Sequence, residues 1–303
     1  MDIIEDIVTL EARGAASPAF SVMARPCDRT LIKRAMTALG VADDSRVVKG
    51  SAPRHPWIHV VDDKIHMIAV LPTQTDEALI VRLLATPAGV LIIADDVTLN
   101  TIRMDIESVE GDGRKGLAAA LVGLGRGTLD GLDSLADAAG DVAARAMGYT
   151  SAPERSEITR MRARLFAGQQ LCSAHHRLLA SEGDLAQALP EAAGRSLRQA
   201  RAAFAEAEVA AARLYAVAGD VLAEQSAVVM ERLTLVATIF LPLTVSTAFF
   251  GMNFGWMTDR LGSASAFLVL GVVVPALLTF GTLTVIRRVT GPGWRERHGD
   301  SAR

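Results

Sequence analysis

The chain has little of what marks the commonest site chemistries. Its two cysteines, Cys27 and Cys172, lie far apart with no CxxC spacing, which argues against a zinc knuckle or a disulfide framework and for reduced, cytosolic thiols. Aromatic residues make up 5% of the chain and the net charge is −3. No basic stripe with interleaved aromatics is present, so nucleic acid is not an expected partner. No Ser-His-Asp arrangement, GxSxG, HExxH or P-loop occurs, which speaks against an enzyme and leaves no catalytic residue to name. The six histidines include His55, His59 and His66, on or beside expected strands, and the adjacent His175-His176, which lack the i, i+4 spacing of a helical ligand pair. Structural or surface roles are the plainer reading for them. The start, MDIIEDIVTLEARG, has early acids and no basic segment before an apolar stretch, so no signal peptide is expected and the N-terminal part is placed in the cytoplasm.

Long uncharged runs are what the chain does have. Half of its residues are hydrophobic and the mean hydropathy is +0.28, with the apolar excess concentrated after Leu233. Leu233 to Phe250 carries no charge, enough for a helix rising about 1.5 Å per residue through a hydrocarbon core about 30 Å thick. A second uncharged run, Ser263 to Ile286, follows the polar hinge Asn253 to Gly262 and stops at Arg287-Arg288. Two membrane helices in a hairpin are expected. Thr234, Thr238, Thr244, Ser246 and Thr247 lie in the first span, where a lipid-facing hydroxyl needs a local partner, so a protein or water interior is expected for some of them. Arg232, Arg287, Arg288, Arg295 and Arg297 flank the hairpin, whereas the connecting loop has only Arg260 beside Asp259. The positive-inside rule then puts both termini of a multi-pass chain on the cytoplasmic side of the inner (plasma) membrane.

Before the hairpin the pattern changes twice. Residues 1–27 show no sustained periodicity and read as a loosely held arm. Asp28 to Leu39 has helical spacing. Trp57 to Val61, Ile65 to Leu71, Gly89 to Ala94 and Val97 to Arg103 read as strands, and Glu77 to Ala85 between them as a helix. An α/β domain is expected. Beyond Gly113 the β signal ends: helices are expected over Lys115 to Met147, weakened at its start by Gly123, Gly125, Gly127 and Gly131, and over Ser156 to about Ala180. Asp130, Asp133, Asp137 and Asp141 line one face of the former, either as a solvated face or as a weak cation or subunit contact. Ser196 to Phe250 has no proline before Pro242; as one helix it is a rod of roughly 80 Å, expected to bundle with copies of itself. The resulting division is 1–112 α/β, 113–232 helical with the stalk, 233–253 first membrane helix, 254–262 external loop, 263–286 second membrane helix and 287–303 basic tail.

Gly251-Met252-Asn253 falls at the outer end of the expected pore helix. This triplet, with Ala237-Thr238-Ile239-Phe240-Leu241-Pro242-Leu243-Thr244 and Phe249-Phe250 before it and Phe254 after it, resembles the CorA family of two-helix divalent-cation channels, named for its Gly-Met-Asn signature. Close similarity covers about 60 residues; the N-terminal 190 agree in architecture. The resemblance implies a homopentamer in the lipid bilayer, with a funnel of α/β cytoplasmic domains, stalk helices and a central pore. It implies a selectivity filter at Gly251, Met252 and Asn253, pore-lining positions at Thr244, Leu241, Ala248 and Ala237, a gate at Met230 and Leu233, and Asp259 in the external loop. Asn253 would hold a hydrated ion through its outer shell. It implies no cofactor, only transported or regulatory Mg²⁺, with Co²⁺ or Ni²⁺ as further cargo.

The sequence departs from the family pattern at Phe250, where a Tyr is common, and at Met257-Thr258-Asp259-Arg260, which stands for Met-Pro-Glu-Leu. It departs also at Ala227, where an Asn is common, so an inner polar ring would need Ser226 or Gln225. The ZntB branch of the same fold, which moves Zn²⁺, is the alternative cargo reading; a membrane-tethered scaffold or sensor is the alternative from another class.

Overall fold

Short apolar runs pair as one antiparallel series. In the computed structural model, which describes residues 1–12, 19–41, 53–73, 77–145, 152–180, 183–252, 263, 265 and 268–290, β3 (Trp57–Val61), β4 (Lys64–Leu71), β5 (Leu79–Thr86) and β6 (Gly89–Ile93) are successive antiparallel neighbours. β1 (Asp2–Ile4) and β2 (Phe20–Ala24) add in parallel beside β6, giving the order β1-β2-β6-β5-β4-β3. The N-terminal segment is therefore no loose arm, since its strands complete the sheet. A parallel pair needs a crossover; α1 (Ile7–Glu11) lies between β1 and β2, capped by the Asp6 carboxylate, which accepts the Thr9 N–H at 2.7 Å.

Two further expectations are corrected. The stretch expected as a helix over Glu77 to Ala85 instead leads into strand β5 from Leu79, whose side chains are covered on both sheet faces and show no helical stripe. Val97 to Arg103 is not a strand but part of α3 (Asp96–Glu107). Asp95 holds the extended N-cap position, Asp96 lies in the first turn, and Leu99, Ile102 and Ile106 are buried at helical spacing.

Both faces of the sheet are covered. Val22, Leu84 and Leu91 meet Leu31, Ala35 and Met36 of α2 (Arg29–Ala38) on one side. Met67, Leu83 and Ile92 meet Ile102, Leu117 and Phe204 on the other. α4 (Gly113–Arg145) begins where Gly113 touches the Gly89 backbone: a Cβ at 113 would lie 2.2 Å from the Gly89 carbonyl carbon. The later glycines do not interrupt this helix. At Gly123 an added Cβ would meet Asp105 and Ile102 at 2.7 and 2.9 Å, so the small residue lets α3 approach closely.

α5 (Ala152–Leu178), the short α6 (Asp184–Ala188) and α7 (Gly194–Gly251) follow. Ile158, Leu165 and Cys172 of α5 pack with Leu132 of α4 and with Ala207 and Ala211 of α7. Burial, aided by the Glu208 charge, pushes the Cys172 thiol up to about 12 and leaves it unreactive. Cys27 is exposed. His176 pairs with Glu208 at 3.6 Å. Asp130, Asp133, Asp137 and Asp141 are all exposed on α4. The chain divides into two compact units, Met1–Leu222 and Ala223–Arg303. The second holds the remainder of α7, a π-helical turn at Val269–Val273 and α8 (Val274–Thr290).

Candidate functional site

The second unit is built on an apolar helix. From Ala223 to Gly251, α7 stays helical through Pro242. Proline has no N–H to give the Thr238 carbonyl, so this turn lacks one rung of its hydrogen-bond ladder. An 18-residue window of the helix reaching Phe249 has mean hydropathy 1.7 with none of it buried. Among the described residues it is the one helix long and apolar enough to cross a membrane, and Gly271–Thr282 forms a shorter apolar helix.

At 100° per residue, Met230, Leu233, Ala237, Leu241, Thr244 and Ala248 fall within an arc of about 80°. All six are exposed, Met230 at 67% and Leu241 at 68%. Ile239, Pro242 and Ser246 are half-buried and lie on the opposite side of the helix. The expected lining and gate residues thus share one uncovered face. Gly251 is the last residue of α7, and the exposed Met252 closes it by donating its N–H to the Phe249 carbonyl at 3.3 Å. Asn253, Asp259 and the loop 254–262 lie outside the described residues.

The threonine hydroxyls find partners within the helix itself. The hydroxyls of Thr234, Thr238, Thr244 and Thr247 donate to the carbonyls of Met230, Thr234, Phe240 and Leu243, at 2.7–2.9 Å. Each is satisfied by the preceding turn, so hydroxyls alone do not require a polar interior. The bond has another consequence at Thr244. With its proton committed to Phe240, the oxygen presents acceptor lone pairs outward, the polarity that suits the hydrogens of a hydrated cation.

Ahead of this segment, Ser226 and Gln225 take different environments. Ser226 is exposed and continues the arc of Met230 and Leu233, whereas Gln225 is 5% exposed on the other side, with no hydrogen bond to either amide atom. Ala227 is exposed. The helical count alone would have placed Ser226 on the arc; the burial of Gln225 needed the tertiary structure.

A family model described as CorA-like Mg²⁺ transporter protein matches residues 130–288, more than half of the chain. The chain belongs to this CorA-like family. The matched stretch includes the whole of α7, and the family is one of membrane transporters rather than enzymes. Among solved structures, the complete CorA magnesium transporter of Methanocaldococcus jannaschii aligns with a TM-score of 0.64 at 15% identity, covering 92% of this chain and 93% of that one. The soluble domain of the same transporter aligns with a TM-score of 0.57 at 10% identity, over 69% and 88% of the two chains. The ZntB cytoplasmic domain of Vibrio parahaemolyticus gives 0.51 at 13%, over 71% and 88%. At these identities the likeness is one of fold: the CorA-like α/β domain followed by a long helix. No curated protein matches the chain.

Proposed function

We propose that the protein is a homopentameric channel for divalent cations, with Mg²⁺ as the principal cargo and Co²⁺ or Ni²⁺ as lesser ones. The gathering of Met230, Leu233, Ala237, Leu241, Thr244 and Ala248 on one exposed arc of an apolar helix is the observation that carries this reading. A face so apolar is not left in water. Turned toward a fivefold axis, it lines a path whose upper part offers the Thr244 oxygen and whose lower part offers hydrocarbon. Mg²⁺ dehydrates reluctantly, so rings of Asn253 amide oxygens and Thr244 hydroxyls would bind its water shell without stripping it. Weak outer-shell contact of this kind permits release. Rings of Leu233 and Met230, close-packed, would exclude water and shut the path until the helices tilt. Asp259 would raise the local cation concentration at the mouth. Both termini are placed in the cytoplasm by the arginine count, so a negative-inside potential drives uptake.

The test is uptake of Mg²⁺ into liposomes with Zn²⁺ as competitor, under a membrane potential and, separately, under a pH gradient. Mg²⁺ flux that follows the potential and ignores the pH gradient is expected. Zn²⁺ flux driven by the pH gradient, with Mg²⁺ excluded, would replace this reading with that of a zinc transporter. No cation flux under any condition would leave a tethered scaffold.

A further inference from the structure

The edge of the sheet brings together two metal-ligating side chains far from the transport segment in sequence. His59 on β3 and His66 on β4 are direct partners in the antiparallel ladder. Side chains so opposed leave the same face of the sheet with Cβ atoms about 4.5–5.5 Å apart, a spacing from which two imidazoles can converge on one ion at about 2.0–2.1 Å. The register is held by the two-residue turn Asp62-Asp63, whose first residue takes the left-handed conformation at φ 52°.

Three features bear on the pair. β3 is the last strand of the sheet, and His59 on it is exposed while His66 is half-buried. Trp57 stacks on the His59 ring with centroids 5.6 Å apart and planes 21° apart, which limits the rotamers that ring can take. Burial first, then the neighbouring His59 and Lys64, holds His66 below the usual histidine range. A lowered value favours the neutral ring, the form in which histidine binds metals.

We propose that His59 and His66 form a two-imidazole site for a divalent transition cation of the Zn²⁺, Ni²⁺ and Cu²⁺ class, with water completing the coordination. Imidazole suits these ions and not Mg²⁺, which takes oxygen ligands. The site therefore distinguishes transition cations from Mg²⁺ whatever the transport segment carries, and the inference does not rest on the cargo assigned above.

Trp57 provides the readout. Full-length protein carrying Trp256→Phe and Trp294→Phe, so that Trp57 is the only tryptophan, is titrated with Cu²⁺ in detergent and then with excess Zn²⁺. Saturable quenching at one ion per chain, weakened when Zn²⁺ is present in large excess and absent with Mg²⁺, is the expected result. Removal even of an outer-shell partner of a metal-bound histidine costs roughly 10–100-fold in affinity. His59→Gln and His66→Gln are therefore each expected to raise the half-saturating Cu²⁺ concentration at least about tenfold. His59 is exposed, so its replacement leaves the fold intact even should that of His66 not. Quenching that never saturates, that Mg²⁺ also produces, or that is unchanged in His59→Gln would overturn the proposal.

Discussion

His175 lies flat on Phe204, ring centroids 4.5 Å apart and planes 10° apart, joining α5 to α7. Its Nδ1 donates to the Leu171 carbonyl at 2.8 Å, and its Nε2 is buried without a partner. Burial pushes its pKa down to about 4, against a smaller upward pull from the Leu171 bond. The folded protein thus refuses a proton that the unfolded chain accepts with a pKa near 6.5. Stability is complete above about pH 6.5 and is lost as pH falls toward 4, by up to about 3 kcal/mol. Melting of the wild type should drop more steeply between pH 7.5 and 5 than that of His175→Leu, which cannot take up the proton. Parallel pH profiles for the two would contradict this assignment.

Arg114 ties the start of α4 to its surroundings. Its Nη2 donates to Asp112 at 2.7 Å, and its Nη1 reaches Asp63 at 3.0 Å and the Ala188 carbonyl at 3.3 Å. Burial alone would raise Asp112, but the hydrogen bonds and charge of Arg114 outweigh it and hold the carboxyl below its ordinary range. The pairing therefore stabilises above the usual carboxylate pKa and fades as pH falls through the lowered value. Arg114→Ala should cost about 2 kcal/mol, in the range for hydrogen bonds to charged groups, measured by denaturant unfolding at pH 7. The exposed Asp63 contact contributes little of this, so Asp63→Ala should change stability far less.

Much of this fold can be read from the sequence where one face of an element is polar. Asp28 to Leu39 is an example: Leu31, Ile32, Ala35 and Met36 form its buried stripe. The reading fails where tertiary pairing decides. Leu79–Thr86 is covered on both faces and has no period to detect, and Phe20–Ala24 is a five-residue run whose strand state depends on β6. In the apolar part of α7, the common face of Met230 to Ala248 follows from counting along a helix. The back-bonded threonines do not, because sequence does not reveal whether a hydroxyl turns to its own backbone. His59 and His66 could have been paired by counting outward from Asp62-Asp63, had the two-residue turn been used to set the register.

Leu233 bears on the gate. It is 59% exposed in the single chain, and in the proposed pentamer it forms an apolar ring. Leu233→Asn should wet that ring and raise Mg²⁺ flux under high internal Mg²⁺, where the wild type is expected to be shut. The check is a liposome leak assay with Mg²⁺ on both sides; a leak no greater than that of the wild type would remove Leu233 from the gate.

Thr244 tests the acceptor argument. Thr244→Ser keeps the oxygen and should conduct nearly as well as the wild type. Thr244→Val keeps the shape and loses the acceptor, and flux should fall roughly tenfold, the scale of a hydrogen bond to a charged group. Equal flux in the two variants would show that the hydroxyl takes no part.

In the proposed channel, a ring of Asn253 side chains just beyond α7 recognises the hydrated cation. The most direct measurement is Mg²⁺ uptake into liposomes by Asn253→Ala, with pentamer assembly checked on the same sample. An intact pentamer that has lost Mg²⁺ uptake is expected. Uptake equal to the wild type from an intact pentamer would contradict it.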